Sequence, residues 1–139
     1  MKIRIICAIL SGAFIIPGAA SAAGGGMKEG LWEITTSMDM PGMPFQPAPT
    51  KVTRCYTKED LKDDSKVIPK QEGDCKITDM KHTGSKVTWK IVCTGKSKGK
   101  GQGEIIYKGD SAYDGSMKLE MEGMEVTSHY KARRIGACK

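Results

Sequence analysis

The chain has 139 residues, 39% of them hydrophobic, and a formal net charge of +6. That length allows one domain with its own core, small enough to profit from cross-links. No apolar run reaches the roughly 20 residues of a membrane-spanning helix, which excludes a helical membrane span.

Lys2 and Arg4 precede an apolar run from Ile5 to Ile16. Pro17 and Gly18 break it, and Ala20-Ser21-Ala22 sets small residues where a signal peptidase reads. The pattern is that of a secretory signal over residues 1–22, cleaved after Ala22. Cys7 lies inside the run rather than after it, so it leaves with the signal instead of carrying lipid. The expectation is a soluble, periplasmic or secreted mature chain. Losing Lys2 and Arg4 lowers the charge from +6 to +4. Outside the cytoplasm that balance meets anionic headgroups, polysaccharide or acidic protein rather than nucleic acid. A plain solvated surface accounts for it equally simply.

Residues 23–29 are a flexible, Gly-rich start, and residues 30–139 form a single β domain. From Gly30 to Met40 the chain alternates, with Trp32, Ile34, Thr36, Met38 and Met40 on one face. That is a half-buried strand. The run Pro41-Gly-Met-Pro-Phe-Gln-Pro-Ala-Pro49 stops it. A second strand spans residues 51–56. Thr57-Lys-Glu-Asp60 resembles a capping box and predicts a helix of one or two turns over residues 58–63. Residues 63–74 read as a polar loop.

Mature-chain cysteines are Cys55, Cys75, Cys93 and Cys138, which allow three connectivities. Residues 75–93 read as two strands about a turn at His82 to Ser85, so paired residues have numbers summing to about 168. Ile77 then opposes Ile91, Asp79 opposes Trp89, and Cys75 opposes Cys93. Opposed residues lie within disulfide reach. Cys55–Cys138 follows by elimination. An exported chain with an even cysteine count favours structural bridges over a zinc site or a free catalytic thiol.

Ile77, Val87, Trp89 and Ile91 face inward on this hairpin. Residues 94–103 read as a flexible basic loop and residues 104–113 as a strand. Asp114-Gly115 is a hairpin-turn signal. Met117, Leu119 and Met121 then alternate with charged residues, and Glu122-Gly123 turns the chain again. Met124, Val126, Ser128, Tyr130 and Ala132 line the inward face of the last strand. The architecture predicted is all-β with one short helix: an antiparallel meander of about seven strands, a strongly curved sheet or small open barrel, with a two-sheet sandwich as the alternative.

Several segments together resemble one family: Gly30-Leu-Trp-Glu33, Met40-Pro-Gly-Met-Pro44, Cys55-Tyr-Thr-Lys-Glu-Asp-Leu61, Gly73-Asp-Cys75, Thr88-Trp-Lys-Ile-Val-Cys93 and Arg133-Arg-Ile-Gly-Ala-Cys138. The mature chain is similar throughout to the bacterial domain-of-unknown-function family 3617, whose members are exported. The resemblance implies an envelope location and supplies no activity or catalytic residues. Gly30-Leu31-Trp32 with Arg133 or Arg134 also resembles the Gly-x-Trp and C-terminal arginine of lipocalin-like barrels. An ordinary core tryptophan explains Trp32 as well.

Candidate chemistry is sparse. Trp32, Ile34, Trp89, Met117, Leu119 and Met121 line a face that suits an apolar or amphipathic ligand. Met38, Met40 and Met43 bracket the proline turn at a spacing that suits soft-metal binding, chiefly Cu(I). Methionine also fills cores, which is the reading for Met117, Met121 and Met124. Lys96, Lys98 and Lys100 offer weak contact with anionic surfaces, but their loop lacks the spacing of a phosphate-binding loop. No cofactor motif is present. His82 falls in a turn and His129 on an outward position, and neither has a nucleophile motif nearby. A buried Asp79 opposite Trp89 would be the one carboxylate of interest. The function expected is a non-enzymatic envelope protein that binds an apolar or amphipathic ligand or a protein partner. A Met-based copper protein is the second reading and a cryptic hydrolase the third.

Overall fold

The computed structural model describes residues 23–69, 73–96 and 98–139, and residues 1–22, expected as a signal segment, lie outside them. Seven strands run β1 Gly30–Asp39, β2 Thr50–Tyr56, β3 Asp74–Thr83, β4 Lys86–Thr94, β5 Gly99–Tyr107, β6 Ala112–Met121 and β7 Met124–Gly136. All form one antiparallel sheet in the order β2-β1-β7-β6-β5-β4-β3. The sheet is open, with β2 and β3 at its edges. Among the described residues no helix exceeds one turn. The all-β meander is therefore the fold, as an open sheet rather than a sandwich.

Both disulfides form as expected: Cys75–Cys93, from the register, with Cα atoms 4.0 Å apart, and Cys55–Cys138, by elimination, with Cα atoms 5.5 Å apart. Ile77 opposes Ile91 as expected. The register then slips. A bulge between Thr78 and Lys81 places Lys81, not Asp79, beside this end of β4, opposite Thr88. Asp79 sits at φ +50, a left-handed conformation that aspartate tolerates. Its carboxylate leaves the inward face and meets Lys90 at 3.0 Å. Ile77, expected inward, lies before the bulge on the edge strand β3 and is exposed, while Val87, Trp89 and Ile91 are buried.

The next hairpin is also shifted. Asp114 and Gly115 lie inside β6, and the turn falls at residues 108–111, with Gly109 at φ +69. Tyr107 and Tyr113 thereby become a facing pair, both buried. The basic loop is shorter than its composition suggests, because β5 begins at Gly99. Gly99, Gly101 and Gly103 share the inner face of β5. A Cβ at Gly103 would lie 2.3 Å from the Trp89 ring. At Gly101 and Gly99 it would lie 2.4 and 2.5 Å from carbonyl oxygens of β6. Loop-like glycine is here what lets strand and ring approach.

The capping box forms with its two halves reciprocal. The Asp60 carboxylate accepts from Thr57 N–H at 3.0 Å and from the Thr57 hydroxyl, while Thr57 Oγ1 accepts from Asp60 N–H. It starts a 3-10 turn, Asp60–Lys62, rather than the longer helix expected over residues 58–63. Asp63 then caps a single α-turn, Asp64–Val67, inside what reads as loop. These hydrogen bonds hold the Asp60 and Asp63 carboxyls below the ordinary carboxylate range. The turns place Leu61, Val67 and Ile68 in one core cluster with Trp32, Tyr56, Tyr107 and Tyr113. Ala23–Gly26 forms a further 3-10 turn, and Met27 joins the same cluster.

Gly103→Ala should push a methyl into the Trp89 ring. We expect a loss of about 1–3 kcal/mol, typical of overpacking, with a shift in near-ultraviolet tryptophan dichroism. Denaturant unfolding measures it; a variant as stable as the parent would show that the ring moves freely aside.

Candidate functional site

The face expected to take an apolar ligand is filled by the chain itself. Trp32 is 0% exposed, Trp89 1% and Met117 3%, and Ile34 and Leu119 are buried with them. Met121 is half-buried against the same cluster. Met124 departs from its expected core role and stands exposed at the β6–β7 turn. Trp32 stacks on Tyr113 and meets Tyr56 edge-on, and its indole N–H donates to the Lys28 carbonyl at 3.1 Å. The lipocalin-like arginine is not on Trp32. Arg133 pairs with Glu33 and Arg134 donates to the Glu29 carbonyl; the cation over a ring is Arg54, 4.9 Å from the Tyr56 centroid.

A buried polar cluster escapes sequence reasoning. Asp64 lies under the sheet, where His82 Nδ1 is 2.9 Å from its Oδ2 and the Tyr107 hydroxyl donates to its Oδ1 at 3.3 Å. His82 also lies over the Tyr107 ring. An Asp–His pair invites a catalytic reading, but the other ring nitrogen, Nε2, faces the Gly84 carbonyl at 2.9 Å. The nitrogen that would serve a nucleophile is thus occupied by the backbone. The arrangement ties the Asp64–Val67 turn to β3 and β5, and so acts as an anchor between them. His82 sits in β3 rather than in the turn, which is why it reaches Asp64.

Around this anchor the phenols are hard to ionise. Burial raises Tyr107, and the Asp64 carboxylate adds to the effect. Burial raises Tyr113 too, and the neighbouring Tyr56 phenol adds to the effect. Tyr56 is raised by burial, partly offset by Tyr113 and Arg54.

The opposite face of the sheet is polar and grooved. A cavity of about 550 Å³ is lined by Asp79, Lys81, Thr88, Gln102, Ser116 and His129, among others. A neighbouring cavity of about 600 Å³ shares Asp79, Lys90, Gln102 and Lys118. Several charges on this face are paired, Lys90 with Asp79, Lys118 with Glu125 and Lys86 with Glu104. Lys100 lies on this face, whereas Lys96 is at the β4–β5 connection and Lys98 just before β5, and all three are exposed. His129 meets Asp39 at 3.1 Å. Among the described residues no three His, Cys, Asp or Glu side chains converge as a metal site.

The β1–β2 loop carries the most exposed large apolar side chain among the described residues, Phe45. Met40-Pro-Gly-Met43 is a turn closed by Met43 N–H to the Met40 carbonyl at 3.2 Å, with Gly42 at φ +87. Pro then Gly at its centre is the type II pattern. Gln46 clasps the loop: its side-chain oxygen accepts from Met40 N–H at 2.9 Å, and its amide donates to the Met40 carbonyl at 3.1 Å. Beyond the clasp Phe45 is 82% exposed and Met43 55%, and Met38 at the end of β1 is 38% exposed. Met40 is half-buried.

Two outcomes test the anchor and its phenols. His82→Ala takes a partner from buried Asp64 and should cost about 1–3 kcal/mol in denaturant unfolding. Folded Tyr107 and Tyr113 should hold their protons well above the ordinary value of 10.0. The unfolded chain releases them there, so it binds fewer protons and stability falls as pH rises past that value. Tyrosinate absorbance of these residues should therefore rise together with loss of dichroism; ionisation in advance of unfolding would contradict their burial.

Residues 27–138 match the profile of a family described as Protein of unknown function (DUF3617). No curated protein and no solved structure matches the chain. The family match runs through all seven strands and includes Cys55, Cys75, Cys93 and Cys138. The chain belongs to the DUF3617 family.

Proposed function

We propose that this chain is an exported, non-enzymatic binding module that engages a partner protein through the β1–β2 loop. One observation carries the reading: Phe45 and Met43 stand in water on a loop that Gln46 holds closed. Exposed aromatic and methionine side chains on a pre-ordered loop give up little entropy on docking, and such residues anchor interfaces. Pro41, Pro44, Pro47 and Pro49 restrict the backbone further.

A small apolar ligand is the weaker occupant, since Trp32, Trp89 and Met117 fill the face it would need. A membrane surface is also weaker. From Met40 to Thr50 the chain has no charged residue, so nothing at the tip attracts anionic headgroups. The backbone carbonyl on His82 Nε2 argues against hydrolysis at the Asp64–His82 pair. Export is supported by the charged and apolar start of the chain and by the two disulfides.

A photo-crosslinking residue at Phe45, with a control at Ile106 on β5, tests the reading in cells. Discrete protein adducts are expected from position 45 alone, weakened by Met43→Ser. Adducts to lipid only, no adduct, or the same adducts from both positions would sink it. N-terminal sequencing of the protein from the envelope fraction should begin at Ala23. An uncleaved chain in the cytoplasm would overturn the location.

A further inference from the structure

The same corner gathers thioethers that no core explains. A methionine used as filler is buried, as Met117 is at 3% exposure. Met38 and Met43 are exposed and Met40 is half-buried, and unlike the isolated exposed Met80 and Met124 these three stand within one short stretch of chain. Their spacing is set by the backbone. Met40 and Met43 are the first and last residues of the Pro41-Gly42 turn, which keeps such Cα atoms within about 7 Å. Met38 precedes Met40 by two residues at the end of β1, a rise of roughly 7 Å on one side of the strand. Gln46 bonds both backbone groups of Met40 as a neighbouring strand would, so this extended geometry continues to the turn.

The donor chemistry is selective. Thioether sulfur is soft, neutral and proton-free. It suits Cu(I) and discriminates against Mg²⁺, Ca²⁺ and Zn²⁺, which want oxygen, imidazole or thiolate. The nearest carboxylate, Asp39, is engaged by His129. Neutral donors without a carboxylate match a monovalent ion better than a divalent one. We propose that Met38, Met40 and Met43 form a three-thioether site for one Cu(I) ion at the β1–β2 corner. The inference rests on this loop being the binding face of an exported chain, and it names a ligand for that face.

The test uses the exported protein with its disulfides intact. Ag(I), a redox-inert ion of the same softness, is titrated while methionine methyl resonances are followed. Cu(I) is then added anaerobically against a coloured chelator that reports the affinity. One equivalent should shift the methyls of Met38, Met40 and Met43 and leave those of Met117 and Met121 in place. Zn²⁺ should shift none of the three. Met43→Leu should weaken Cu(I) by about tenfold or more. The triple Met→Leu variant should abolish binding with unchanged dichroism, because leucine is near in volume and these positions are not core.

No shift with either ion, binding that survives the triple variant, or shifts confined to the histidines would overturn the site. The two proposals separate cleanly. Phe45→Ser should keep Ag(I), whereas the triple leucine variant keeps an apolar loop, and with it the adducts from position 45, and loses the ion. Failure of Ag(I) with position-45 adducts intact removes the metal site alone. Failure of the adducts with Ag(I) intact removes the protein-docking reading alone.

Discussion

Everything in the middle of this sheet depends on a strip of backbone without side chains. Gly99, Gly101 and Gly103 occupy alternate positions of β5, so one face of the strand is bare where its neighbours crowd in. Trp89 from β4 lies against Gly103, while Leu119 and Met121 from β6 lie against Gly101 and Gly99. Large side chains from both flanking strands thus share a space that side chains of β5 would otherwise take. The burial of Trp89, Ile91 and Leu119 follows from that substitution. The protein's own rings and thioethers are thereby drawn against β5.

An open sheet leaves two strands with a free side, and both are restrained covalently. Cys75–Cys93 ties β3 to β4, and Cys55–Cys138 reaches from β2 past β1 to the segment after β7. With sequence separations of 18 and 83 residues, chain-entropy arguments put them at about 3 and about 4.5 kcal/mol. The edges are protected in a second way. The bulge at Asp79 interrupts the ladder of β3, and Lys51 and Arg54 charge β2, both of which discourage pairing with another chain. The apolar corner at Phe45 is separate from these ladders, so its exposure does not come with an unguarded edge.

Disulfide register was legible because side-chain direction in a strand repeats every two residues, and Ile77, Ile91 and the two cysteines all obey that period. Asp79 broke the inference for a physical reason: one inserted residue inverts every later assignment, and no residue type announces a bulge that aspartate can occupy. Gly99 to Gly103 misled because glycine serves equally as a flexible linker and as a place for a neighbour's ring. Asp114-Gly115 misled likewise, with Gly109 making the actual turn. Asp64, His82 and Tyr107 meet across 18 and 43 residues of separation, which local pattern does not report. The methionine corner was legible in composition, but its exposure was not, and exposure is what separates a ligand set from core filler.

The Gln46 clasp divides the tip of the loop from the sheet. Its amide copies the donor and acceptor of a neighbouring strand, so the loop is sealed at Met40 before the tip begins. The register Thr36 to Thr50, and with it the entry of β2 into the sheet, is fixed below that seal. Residues 41–45 therefore stand outside the ladder, and a side chain changed among them leaves the pairing beneath in place. The tip can be altered without re-registering the sheet.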